Sequence, residues 1–300
     1  MDRSRPVTGH LWGQLKLFDQ ALVCFFLLLN VLILVFHENL SLWGWHFLKH
    51  CIACLLVVTL VPALQSRKHP ACGFIRDWYA ATAIPFIYWN MGNFIHLVFP
   101  GEFDALIITL ETKVFQTLPN IQVQQLVGPV LTEVMQFFYA LYWLTIPVGA
   151  AVLYFNRRCH EYDYFIYYVA LTFLISCVLF ILFPVVGPRF FMADQISAKY
   201  EGLFLAGFFR RFVEHAGLRG CAFPSAHAAV AAVVTCFMWA VYPRLGKMVF
   251  LPALVGLSLA TVYGQYHYFS DVFAGLAMGI SIGILGVRHM RGMTDNACAP

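Results

Sequence analysis

Long apolar runs alternate with short polar breaks along this chain, and the runs are too long and too uniform for the exterior of a water-soluble fold. A membrane-spanning helix needs about 20 mostly apolar residues. Eight stretches approach that length: 17–36, 46–65, 78–99, 130–155, 164–183, 225–242, 249–266 and 271–287. Lys49 and His50 lie near the start of the second, and the last is short. The pattern predicts an all-α, multi-pass transmembrane bundle of about eight spans. The expected division is an N-terminal set of about four spans over 1–160, with no assigned role, and a C-terminal core over 161–300. The run after Lys16 lacks a small-residue cleavage site, so it reads as a retained span and not as a signal peptide.

The basic residues orient these spans. Arg3, Arg5 and Lys16 precede the first; Arg67, Lys68 and Arg76 lie between the second and third. Arg157 and Arg158 follow the fourth, Arg244 and Lys247 separate the sixth and seventh, and Arg288 and Arg291 follow the eighth. With eight spans all of these fall on one side, which the positive-inside rule makes cytoplasmic. Both termini are then cytoplasmic too. Two longer segments fall on the opposite side. In 100–129, Phe103, Leu106, Ile107, Leu110, Val114 and Leu118 recur at helical spacing between Glu102, Asp104, Glu111 and Lys113. That spacing predicts either an amphipathic helix lying in the interface or a helix packed over the bundle. The segment 184–224 carries Arg189, Lys199, Arg210, Arg211 and Arg219 against the positive-inside trend. Such a cluster fits anionic headgroups.

Composition narrows the class. Of 300 residues, 61% are hydrophobic and 11% charged, where soluble domains carry about 25% charged residues. The net charge of +4 is small and arrives in short clusters, so it marks topology and not a nucleic-acid surface. Among nine cysteines, Cys51-x-x-Cys54 has the spacing of half a zinc site, but it lies in an apolar span without a second pair. No metal and no cofactor are expected, and no disulfide for Cys221.

Chemistry concentrates in two segments, Pro224-Ser225-Ala226-His227 and His267-Tyr-Phe-Ser-Asp271. Ionisable side chains at membrane depth are costly and mark functional sites. The chain crosses the membrane between His227 and the turn at 243–247, then returns to His267 by a leg of similar length. Each leg of 16–18 residues measures roughly 24–27 Å, so both histidines reach one membrane face. Arg189, after the fifth span, reaches the same face. His267 and Asp271 are four apart and share a helical face. A carboxylate beside one imidazole nitrogen fixes the tautomer and raises the basicity of the other, which prepares a nucleophile. His227 is then placed to donate and accept a proton. Pro224 and Ser225 read as a helix start, whose amides bind phosphate oxygens, and Arg189 adds a bidentate clamp.

Gly220-Cys-Ala-Phe-Pro-Ser-Ala-His227 and Gln265-Tyr-His-Tyr-Phe-Ser-Asp-Val-Phe-Ala-Gly275 resemble the second and third signature motifs of the type 2 phosphatidic acid phosphatase superfamily. Gly187-Pro188-Arg189 sits where the first motif would lie, and the resemblance covers roughly 164–290. It implies a metal-independent site with His267 as nucleophile, His227 and Asp271 as its catalytic partners, and Ser225 as a phosphate ligand. It also implies a site on the non-cytoplasmic face. Two departures stand out. Ala260 and Thr261 occupy the place of a Ser-Arg pair in the lipid phosphatases, and where their first motif runs from a Lys to an Arg-Pro pair seven residues on, here Leu182 and Phe183 precede Pro184 and Arg189 follows its proline. The His-Tyr-x-x-Asp form is more similar to the inositol phosphorylceramide synthase and sphingomyelin synthase branch. The expectation is a membrane-embedded lipid phosphotransferase acting through a phosphohistidine on phospholipid or sphingolipid substrates. Its rivals are a lipid phosphate or polyprenyl diphosphate phosphatase and a non-catalytic lipid transporter. Lys199, Arg210 and Arg211 are expected as substitutes for the missing phosphate-binding cations.

Overall fold

The computed structural model describes residues 11–67, 69–197, 200–205, 207–208 and 218–297. Lys199, Arg210 and Arg211, along with Arg3, Arg5 and Lys68, lie outside the described residues. The principal helices are α1 (Leu17–Val35), α2 (Trp43–Ser66), α3 (Pro70–Trp78), α4 (Ala80–Met91), α5 (Asp104–Phe115), α6 (Pro119–Val123), α7 (Pro129–Phe155), α8 (Cys159–Leu182), α9 (Pro188–Phe191), α10 (Ala226–Val241), α11 (Leu251–Tyr263) and α12 (Phe269–Ala297). A π-helical segment, Gly246–Phe250, leads into α11. The fold is all-α, and no strand occurs among the described residues.

Among the described residues, six helical segments are long and apolar enough to cross a membrane: Leu17–Val35, Trp43–Ser66, Pro129–Phe155, Cys159–Leu182, Pro243–Tyr263 and Phe269–Met293. The two remaining expected stretches have a different form. α10 is apolar but only 16 residues long, roughly 24 Å. The stretch 78–99 is not one helix. α4 has 12 residues with Pro85 inside it, and the chain then turns, with Asn93 Nδ2 donating to the Asn90 carbonyl at 3.0 Å. Proline withholds an amide, and the Asn-rich turn offers the backbone a local partner, so hydropathy alone overstates this helix.

The chain forms two compact units, Met1–Ile87 and Tyr88–Pro300. In the first, α1 packs on α2. His50 Nδ1 meets Asn30 Oδ1 at 3.0 Å between them, a polar link of the kind that joins helices in lipid. Asp77 Oδ1 takes Lys16 Nζ at 3.0 Å and an Arg76 guanidinium nitrogen at 2.8 Å.

The second unit is built around α10, whose residues Ala228–Val234 are all buried. Ser225 caps this helix, its Oγ accepting the Ala228 N–H at 3.4 Å. α12 lies against α10 through glycines spaced four apart. A β-carbon on Gly275 would stand 2.4 Å from the Ser225 carbonyl oxygen, one on Gly279 2.1 Å from the Ala229 oxygen, and one on Gly283 2.8 Å from Cys236 Cβ. Small residues at this spacing let helix backbones meet in a lipid environment, where apolar side chains gain little by leaving lipid for protein. α7 packs on α11 with the Phe138 ring seated over Gly256.

α5 packs on this unit, the second of the two expected arrangements, and it does so through a mixed polar and apolar face. Leu106, Leu110 and Val114 are exposed, while Asp104, Ile107 and Glu111 are buried. Positions 104, 107 and 111 form one helical stripe, and it turns both carboxylates inward.

A Gly279→Ala substitution forces the Ala229 carbonyl away and should cost about 1–3 kcal/mol, whereas Gly292→Ala meets nothing within 4 Å and should stay within about 0.5 kcal/mol. Thermal unfolding of the two variants in detergent checks this difference.

Candidate active site

Three short backbone segments run side by side at one end of the second unit. Val185 and Cys221 form an isolated parallel bridge, the Ala222 N–H donates to the Val185 carbonyl at 2.9 Å, and the Arg189 N–H donates to the Gln265 carbonyl at 3.0 Å. Gly187 has φ +93°, and a β-carbon there would come within 3.1 Å of the Tyr266 carbonyl. Glycine is therefore required at this crossing. The three candidate motifs are joined by main-chain hydrogen bonds before any side chain is considered.

His267 sits in the turn between α11 and α12 and is buried. Its Nδ1 lies 2.9 Å from the Ala222 carbonyl oxygen. A carbonyl only accepts, so this contact places the proton on Nδ1 and leaves the Nε2 lone pair unprotonated. Asp271 Oδ2 lies farther off, 3.5 Å from Nδ1, and its shorter contact is the Tyr268 N–H at 2.8 Å. The expected His267–Asp271 pair is thus in place, but the Ala222 carbonyl is the closer orienting group. Asp271 is also the third residue of α12 reaching back to the amide just before it, half of a capping box. Burial lowers the His267 pKa to about 4, against a smaller opposite push from the Ala222 carbonyl. The ring is therefore neutral near pH 7.

His227, one residue into α10, stands with its ring centroid 5.7 Å from that of His267. Its Nε2 is 3.5 Å from the Tyr139 hydroxyl, and the Tyr142 ring lies 4.7 Å away. The 40 residues that separate the two histidines in sequence therefore close into direct ring contact. Ser225 is fully buried behind them as the cap of α10, and its N–H donates to the Asp271 carbonyl at 2.9 Å. Arg189 holds its guanidinium 5.8 Å from the Tyr266 ring, and Tyr266 stacks on Tyr139 at 4.5 Å. An aromatic layer thus carries Arg189 toward His227.

A second set of residues, given no role by the motifs, supports the loop of His267. Asp104 accepts the Val186 and Gly187 N–H groups at 2.7 and 2.9 Å and the Tyr268 hydroxyl at 3.0 Å. Burial, reinforced by Asp104, keeps the Tyr268 phenol protonated and donating. Glu111 accepts both the N–H and the hydroxyl of Ser270 at 2.6 Å. Asn120 Nδ2 donates to the His267 carbonyl at 3.1 Å, and the Asn120 carbonyl accepts Gln265 Nε2 at 2.9 Å. Only the 104–107–111 stripe was available in sequence as a sign of these contacts, since amide and carbonyl partners leave no motif. Thr261 is buried with its Oγ1 on the Ser258 carbonyl at 2.9 Å, so no cation stands at that position.

Removing the Asp104 carboxylate strands two buried amides and a phenol. Hydrogen bonds to charged groups contribute about 1.5–3 kcal/mol each, so Asp104→Ala should cost about 3 kcal/mol or more. The exposed Asp194→Ala serves as the neutral control in the same unfolding measurement.

The sequence comparisons agree with this geometry. A Dictyostelium discoideum protein described as a PA-phosphatase related-family protein is 27% identical over 176 residues. That alignment covers 51% of this chain and 32% of the relative, so the chain spans about a third of the relative's length. No solved structure gives a significant match. The family profile described as PAP2 superfamily matches residues 106–285, a stretch that begins within α5 and takes in α7, both outside the 164–290 covered by the motif resemblance. With more than half its length matched, and with the second- and third-motif histidines in ring contact, the chain belongs to the PAP2 superfamily.

Proposed function

We propose that this protein is a membrane-embedded, metal-independent lipid phosphotransferase that works through a phosphohistidine at His267. The observation that carries the proposal is the 2.9 Å contact between His267 Nδ1 and the Ala222 carbonyl oxygen. The Ala222 carbonyl holds the Nδ1 proton, so Nε2 offers a lone pair beside His227. Nε2 attacks phosphorus and forms an N–P bond as the bond to the leaving lipid oxygen breaks. His227, protonated, gives its proton to that oxygen. It then takes the proton of the acceptor hydroxyl, whose oxygen attacks phosphorus and releases His267. Arg189 and the first amides of α10, capped by Ser225, stabilise the phosphoryl oxygens. Asp271 stabilises positive charge on the imidazole as it forms and fixes the turn before α12.

The acceptor separates two readings. Transfer of a phospho-headgroup to a lipid hydroxyl follows from the His-Tyr-x-x-Asp form and from Thr261 in place of a cation. Hydrolysis, with water as acceptor, is the second reading, favoured by the name of the Dictyostelium relative. The polar end of the second unit is taken to face the non-cytoplasmic side, with acyl chains entering between the helices. Purified protein incubated with labelled phospholipids, with and without ceramide or diacylglycerol, separates the readings. A labelled lipid product that requires the acceptor supports transfer; inorganic phosphate formed without acceptor supports hydrolysis.

His267→Ala should abolish both turnover and acid-labile phosphoenzyme, and retention of normal turnover would sink the mechanism. The pH profile gives a further check. The nucleophile is the neutral ring, and its folded-state pKa is lowered to about 4. The acidic limb of kcat/KM should therefore fall near pH 4, not near the ordinary histidine value of about 6.5.

A further inference from the structure

His227 is held by a helix that carries no motif. Thr132, Gln136 and Tyr139 fall on one face of α7 and are buried. Thr132 Oγ1 meets the Tyr263 hydroxyl at 2.7 Å, and Gln136 Nε2 donates to the Tyr266 hydroxyl at 3.1 Å. These two contacts tie α7 to the end of α11 and to the turn that follows it. Tyr139, one turn farther along α7, stacks its ring on Tyr266 and brings its hydroxyl to His227 Nε2 at 3.5 Å. Among the described residues, each of these two groups is the other's only hydrogen-bond partner. A buried phenol hydroxyl thus spends its one contact on the histidine that faces His267.

We propose that Tyr139 is the positioning residue of His227, engaging Nε2 in both charge states of the ring and so assigning proton exchange with the substrate to Nδ1. The assignment rests on the phosphoryl-transfer reading of the His227–His267 site. A phenol hydroxyl accepts from Nε2–H and donates to a bare Nε2, whereas a carbonyl or a carboxylate serves only the protonated nitrogen. The contact therefore survives the whole proton cycle. In the first step the imidazolium Nδ1–H gives its proton to the departing lipid oxygen, as the N–P bond to His267 forms and the P–O bond breaks. The ring keeps its Nε2 proton, which Tyr139 accepts. The Nδ1 lone pair then takes the proton of the acceptor hydroxyl, as the new P–O bond forms and the N–P bond breaks. Tyr139 itself gives up no proton. At 3.5 Å the contact is long for a neutral ring, and positive charge on the imidazole draws it shorter. Tyr139 acts through His227 and not on the substrate, so its loss should appear in kcat.

Tyr139→Phe removes the hydroxyl and keeps a ring against Tyr266. With a lipid donor, kcat should fall about tenfold or more at unchanged KM, the effect of one hydrogen bond that orients the proton donor. The deciding comparison is a donor analogue whose departing lipid alcohol is replaced by p-nitrophenol, which leaves without a proton. Single-turnover release of p-nitrophenolate, with enzyme in excess, reports N–P bond formation alone. Wild type and Tyr139→Phe should release it at the same rate, while still differing about tenfold in single turnover of the lipid donor. A merely structural role slows both donors alike. Equal slowing of both overturns the assignment, as does a wild-type kcat for Tyr139→Phe on the lipid. His267→Ala separates the two levels. Normal turnover by that variant removes the histidine mechanism and this assignment with it, whereas an inactive His267→Ala beside a fully active Tyr139→Phe rejects the role of Tyr139 alone.

Discussion

The site depends on how closely two helix backbones can approach. α12 meets α10 through Gly275, Gly279 and Gly283, and at the first two the opposing atom is a main-chain carbonyl oxygen. Side chains can swing aside, but a carbonyl in a helix cannot, so each contact fixes the separation of the axes. The uppermost contact, Gly275 on Ser225, falls within the first turns of both helices. Those turns carry His227 on one side and Asp271 on the other, with His267 just before α12. The ring contact between the two histidines follows from a spacing set by hydrogen atoms on three glycines. In a lipid environment this is the available means of tight association, since apolar side chains gain nothing by leaving lipid for protein.

The second requirement is to satisfy irregular backbone at the membrane end of the bundle. The segments 184–190, 219–225 and 264–268 are not helical spans, and their amides need partners inside the protein. They find some in one another, through Val185, Ala222, Arg189 and Gln265. The rest come from α5, whose Asp104 takes the amides of Val186 and Gly187. A buried carboxylate is expensive alone but stable when several donors converge on it. The same arrangement fixes the first-motif loop and, through the Tyr268 hydroxyl, the loop of His267.

Much of this was legible in the chain, and the misses have physical causes. The all-α class and six of the spans follow from apolar run length, which measures what a bilayer demands. The meeting of His227 and His267 follows from two antiparallel legs of similar length, a counting argument that needs no side-chain detail. The inward face of α5 could not be read from its pattern alone, because amphipathic spacing does not say whether water or lipid lies outside. Where lipid surrounds a helix, Leu106, Leu110 and Val114 are satisfied at the surface and the carboxylates must go in. The stretch 78–99 was overextended because a hydropathy window averages across Pro85 and the turn at Asn90–Asn93. The carbonyl that orients His267 could not be read at all, since every residue has one and only the fold says that it belongs to Ala222.

Position 261 shows how an absence in sequence changes meaning in three dimensions. Taken alone, Thr261 is a missing cation and argues for a less charged substrate. In the fold it is a buried side chain whose hydroxyl is spent on its own helix, while its carbonyl accepts the amides of Tyr266 and His267 at 2.9 and 3.2 Å. Its task here is to terminate α11 and set the turn that carries His267. Positive charge enters instead from the side, on the loops of Arg189 and Arg219 that meet at Phe190.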